Sequence, residues 1–142
     1  MKKINVGRVL LGGLIAGLVL NIGESLLNGV VLANDMKAEF DKLHLQEPAG
    51  DFIAKAVVAT FLLGIVITFL YAAIRTQFGP GVKTAIYAGL VAWFCVYVYT
   101  GVIQTGLGFV SVKLALIGAA WGLVEYAVGA VAGAWFYKEA EA

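Results

Sequence analysis

Cysteine, histidine, proline and charge are all scarce in this chain of 142 residues. The single cysteine, Cys95, has no intrachain disulfide partner, which excludes a disulfide framework; inside an apolar run it is expected to behave as a small hydrophobe. The single histidine, His44, lies outside every long apolar run, so a haem held by two histidines within a membrane is excluded. With Asp41 and Glu47 nearby, His44 offers at most a weak metal site; a solvated loop histidine is the expectation, and no metal is expected. HExxH, GxSxG and CxxC motifs are all missing, so no catalytic residue and no cofactor is expected. Gly79-Pro80-Gly81-Val82-Lys83 resembles a phosphate loop loosely, without the spacing or the Lys-Ser/Thr pair of a Walker sequence, and reads as a turn. Only 13% of residues are charged and the net charge is +1, which leaves no basic face for nucleic acid.

What is abundant is apolar surface, at 61% of residues. Such a chain would aggregate with water as its only solvent, and the lipid bilayer is the expected partner in its place. A spanning helix needs about 20 apolar residues, and four stretches reach that length, at about 9–33, 52–74, 84–105 and 113–137. Length favours helix over strand in these runs, and no ten-residue alternation suggests a barrel. The predicted fold is all-α, a single transmembrane domain over 1–142 built as an integral membrane four-helix bundle. The basic start Lys2, Lys3 and Arg8 also suits a signal peptide, with Val31, Leu32 and Ala33 as a cleavage site. The first run is too long for that and carries Asn21, Glu24 and Asn28.

Pro80 between two glycines predicts a tight turn between the second and third helices, and a short link from Gly106 to Ser111 makes the third and fourth antiparallel neighbours. Only the first connection, about 34–50, has room for structure of its own. Met36, Phe40 and Leu43 fall there at i, i+4 and i+7, which suits a short helix on the membrane surface, the alternative being a solvated loop. Lys2, Lys3, Arg8, Arg75, Lys83 and Lys138 fall on one side, against Lys37, Lys42, Lys55 and Lys113 on the other. That bias predicts cytoplasmic termini, a cytoplasmic Gly-Pro-Gly turn and an external first connection.

Two carboxylates, Glu24 and Glu125, interrupt the first and fourth runs. An ionisable group at bilayer depth costs at least about 2.5–3.5 kcal/mol, so it is expected to face a partner or a wet cavity. The stripe through Glu24 reads Gly13, Gly17, Asn21, Glu24, Asn28, and that through Glu125 reads Gly118, Gly122, Glu125, Gly129, Gly133. Read from the outer surface inward, both have spacings of 4, 3, 4 and 4, which sets Glu24 beside Gly122 and Asn21 beside Glu125. Small residues at this spacing let helix backbones approach closely, so the first and fourth helices are predicted to pack on these stripes. The alternative is coincidence in a chain with 18 glycines. Both carboxyls are expected roughly 15–20 Å below the outer boundary, near mid-membrane. The second helix (Thr60, Gly64, Thr68, Tyr71) and the third (Trp93, Tyr97, Thr100, Gln104) carry weaker polar faces, the aromatics fitting bilayer packing as well as ligand stacking.

Three roles fit a buried carboxyl pair. It can be a static packing element, neutral and bonded to its partner, to Asn21, to Asn28 or to a carbonyl. It can carry a proton or small cation, with Gln104 and the two asparagines holding water, although no Lys, Arg or His accompanies it. Or the glycine-rich groove can take a small lipophile, a quinone, a second copy of the chain, or a helix of another membrane protein. The first, joined to partner binding, is the main expectation: a non-enzymatic membrane subunit. The order of features supports the setting. Ile4-Asn5, a Gly-interrupted first span, and Val31-Leu32-Ala33 leading into a connection with Met36 and Leu43 resemble the uncharacterised small four-span integral membrane proteins of bacteria. The resemblance covers the topology alone and implies a bacterial inner-membrane location without implying an activity.

Overall fold

A computed structural model describes residues 3–139, so Lys2 of the basic start lies outside the described residues. In chain order the elements are α1 (Val6–Leu26), continued by a π-helical segment (Leu27–Val31), then α2 (Ala33–Lys42), α3 (Gly50–Phe78) and α4 (Val82–Trp93). A second π-helical segment (Phe94–Tyr99) joins α4 to α5 (Thr100–Gly106), and α6 (Val112–Phe136) comes last. The described residues are all-helical apart from their links. Four rods are long and apolar enough to cross a membrane: Val6–Val31, Gly50–Phe78, Val82–Gly106 and Val112–Phe136.

Local chemistry sets these limits. The Asn5 side chain accepts from the Arg8 amide at 3.1 Å and starts α1 ahead of the expected residue 9. Ser111 caps α6 in the same way, accepting from the Leu114 amide at 3.4 Å. α3 runs one turn past the expected residue 74, since nothing in Arg75, Thr76, Gln77 or Phe78 breaks a helix; it stops where Gly79 adopts φ +80° ahead of Pro80. Thr84 Oγ1 then donates to the Gly79 carbonyl at 2.7 Å and ties the turn to α4. The first connection forms a helix rather than a plain loop: α2 carries Met36 and Phe40, with Leu43 as its C-terminal cap.

α1 packs along α3 and α6, and α4 packs along α3 and α6, so the rods form a ring in chain order, with α3 and α6 also touching across the middle. The packing surfaces are small and the outer surfaces large. Gly12, Gly13, Ala16 and Gly17 are buried on α1, whereas Leu10, Leu14, Leu18 and Ile22 are exposed. α6 buries Gly118, Gly122, Gly129 and Gly133 while leaving Leu116, Val124 and Val128 outside. A water-soluble bundle would bury its leucines; this distribution suits association by close backbone packing.

The glycine stripes do not meet as the sequence suggested. A Cβ on Gly13 would fall 2.5 Å from Ile65 Cα, and one on Gly17 would fall 2.8 Å from Phe61 Cα, so both face α3. The partner of these two glycines is Gly64, whose own Cβ would run into Gly13 and Gly17 backbone. α6 does approach α1, but on the adjacent face: Gly133 meets Gly12 and Ala16, and Gly129 meets Ala16 and Leu20. Gly118 and Gly122 instead receive the Tyr97 ring. One step along a helix rotates the side chain by roughly 100°, and α1 places small residues on two neighbouring faces because two helices press on it.

At the end holding the termini and the Gly-Pro-Gly turn, a cluster of Val9, Tyr71, Ala72, Ala85, Ala88 and Tyr137 closes the bundle. Arg75 lies 5.4 Å from the Tyr71 ring centre and 5.2 Å from that of Tyr137, with Nε 3.3 Å from Glu139. The middle is filled by Leu20, Ile67, Ala92, Tyr126 and Ala130. The opposite end, under α2, has only the small cluster of Leu27, Leu32 and Leu114.

Candidate functional site

Glu24 sits on the last turns of α1, seven residues before Val31, or about 10 Å from the end of that rod. Glu125 sits 13 residues after Val112, at about 20 Å. Glu24 is nearer the end of its rod because that rod stops at Val31 and the chain turns at Leu32 into α2.

Each carboxyl has its own donor. The Tyr97 hydroxyl donates to Glu24 Oε1 at 2.6 Å, and Asn28 Nδ2 donates to Glu24 Oε2 at 3.0 Å and to the Glu24 carbonyl at 3.0 Å. Trp121 Nε1 donates to Glu125 Oε2 at 2.7 Å, from one turn earlier on α6. Glu125 is only 7% exposed, and its Oε1 is buried with no hydrogen-bond partner among the described residues. Its carboxyl rests on the α1 backbone beside Glu24: a Cβ on Gly23 would lie 2.5 Å from Glu125 Cδ. The Tyr97 ring meets the Tyr126 ring edge to face, with centres 5.6 Å apart, so Tyr97 links the surroundings of both acids.

Both donors to Glu24 come from π-helical segments, Asn28 from Leu27–Val31 and Tyr97 from Phe94–Tyr99. A π turn widens the helix by one residue and re-aims the next side chains along it, and such turns concentrate at functional sites. The widening is visible at Thr100, whose hydroxyl donates to the carbonyl of Cys95, five residues back, at 3.0 Å.

Asn21 does not reach Glu125, which the aligned stripes had set beside it. Its Nδ2 donates to the Gly17 carbonyl at 2.9 Å and to the Val57 carbonyl at 3.4 Å, bracing α1 against α3. Gln104 lies apart from both acids' hydrogen bonds and lines a cleft of about 260 Å³ with Glu24, Asn28, Tyr97 and Thr100. A larger cleft of about 690 Å³ opens between α1, α2 and α3, and Asn21, Glu24, Asn28 and Thr60 belong to its wall. Glu24, Asn28 and Met36 line both clefts and so form the partition between them. On α3, Gly64, Thr68 and Tyr71 are buried in packing, and the Trp93 indole donates to the Ala119 carbonyl at 2.8 Å.

Trp121 is the residue that sequence reasoning passed over, although its i, i+4 spacing to Glu125 was available. Outside the rods, α2 is tied down by Lys37 to Glu47 and by Lys113 Nζ to Asp35 at 3.2 Å. Among the described residues no group of His, Cys, Asp and Glu gathers as a metal would require, and Cys95 is exposed on the outer surface. No family model, curated protein or solved structure matches the chain.

Proposed function

We propose that the chain is a non-enzymatic, multi-pass protein of the bacterial inner membrane, a four-helix transmembrane bundle with both termini cytoplasmic, that works by binding in the cleft between α1, α2 and α3. The exposed leucines, valines and phenylalanines of the four apolar rods support the lipid setting. The Lys and Arg bias supports the orientation, and the resemblance in layout to small four-span bacterial proteins supports the location. One observation carries the functional reading: among the described residues the polar layer borders clefts toward α2 and packed side chains on its other side. Two clefts converge on Glu24 from the α2 end, whereas Leu20, Ile67, Ala92, Tyr126 and Ala130 fill the bundle beyond Glu125. A path for protons or cations needs stations on both sides of its midpoint. Here Glu125 serves as a packing element held by Trp121, and Glu24 forms part of a wall.

Thiol accessibility tests this. In a Cys95→Ala background, Thr60→Cys and Asn28→Cys are expected to react with a membrane-impermeant maleimide added from the periplasmic side, and Thr68→Cys, at a position 1% exposed, from neither side. Reaction of Thr68→Cys from the cytoplasmic side would mean a through-going aqueous path and would overturn the binding reading.

A further inference from the structure

We infer that the larger cleft takes a single-chain amphiphile with a cationic amine head, the ammonium at Glu24 and the chain along the apolar wall. The inference rests on the reading of this cleft as a binding site. Its volume of about 690 Å³ lies within the range of small-molecule sites, and Met36, Phe40, Phe52, Ile53 and Val57 supply apolar wall. What selects the head is the balance of donors and acceptors. The Asn21 amide has spent its N–H on the Gly17 and Val57 carbonyls, Asn28 has spent its own on Glu24, and the Thr60 hydroxyl donates to the Ala56 carbonyl at 2.8 Å. Each keeps an oxygen as acceptor. Glu24 accepts one bond at each oxygen, leaving roughly half of the about four sites a carboxylate offers.

Charge points the same way. Both donors to Glu24 are neutral, and the ion pairs of Lys37, Lys42, Lys55 and Lys113 are made with other acids. Within the cleft Lys37 is matched by Glu47, so Glu24 is the charge left without a counter-charge. An anionic head would be repelled, and a hydroxyl would satisfy one acceptor and leave the charge unmatched. An ammonium brings three donors and the missing positive charge.

The test is photo-crosslinking of the full chain in nanodiscs of zwitterionic lipid. Three diazirine probes share one twelve-carbon chain and carry an amine, a hydroxyl or a carboxylate head; labelled peptides are mapped by mass spectrometry. The amine probe is expected to label the segments around Phe40 and Phe52, with competition by dodecylamine, about tenfold more than the hydroxyl probe. Glu24→Gln is expected to remove that preference. Equal labelling by amine and hydroxyl probes overturns the cationic head while leaving the cleft as a binding site. Labelling that no probe's own competitor reduces overturns both.

Discussion

Trp121 and Glu125 are the sharpest test at the scale of single residues. Glu125 takes its one side-chain hydrogen bond from the Trp121 indole, and its second oxygen is already without a donor among the described residues. Removing one partner of a buried polar pair costs the desolvation of the other, whereas replacing both by apolar groups is close to neutral. Trp121→Phe is therefore expected to destabilise the protein by about 1–3 kcal/mol in bicelles. Adding Glu125→Met should recover most of that loss in the same unfolding measurement. Equal stability of Trp121→Phe and wild type would show that the indole does not support the carboxyl. Glu24 differs, because donors from two other turns hold it and it borders open space on both sides. The sequence marks both acids as misfits in apolar runs, and Asn28 at i+4 from Glu24 is readable as its partner. Tyr97 is not readable in that role, since its reach to Glu24 depends on a π turn that no residue pattern announces.

At the scale of elements, the apolar runs are long enough that four rods follow from length alone, while the spacing of Met36, Phe40 and Leu43 favours a helix at α2 and leaves a loop as the alternative. Azimuth is what periodicity leaves open. A stripe says which residues share a face, but not which neighbour that face meets, and α1 carries small residues on two faces. Glycine-to-alanine changes separate the alternatives. Gly17→Ala, whose Cβ would press on the Phe61 backbone, is expected to destabilise the bundle clearly more than Gly129→Ala, whose Cβ meets the movable Leu20 side chain; equal losses in the same unfolding measurement would restore the stripe-on-stripe packing. α2 has its own test in pH. The Lys37 ammonium is held above its usual pKa, chiefly by the hydrogen bond to Glu47, then by the charges of Glu47 and Asp41. A raised folded-state value means the contact contributes fully below the ordinary lysine pKa and is lost as pH climbs through the higher folded value. A spin label at Ala38→Cys, again without Cys95, should keep constant mobility from neutral pH into the mildly alkaline range and loosen above it. In Lys37→Gln it should be looser throughout, and a label that loosens as pH is lowered from the alkaline range to neutral would refute the assignment.

For the molecule as a whole, the two ends of the bundle are unlike. One is closed by Arg75 between two tyrosine rings and by a buried apolar cluster; the other holds two clefts under a helix tied by ion pairs. The carboxyls lie toward the open end, with a packed middle between them and the closed one. This asymmetry separates binding from conduction. The direct measurement is proton flux in liposomes under an imposed potential, comparing wild type with the Glu24→Gln, Glu125→Gln double variant. Neither is expected to exceed protein-free liposomes. Flux in the wild type that vanishes in the double variant would contradict the closed interior and make the two carboxyls a conduction site.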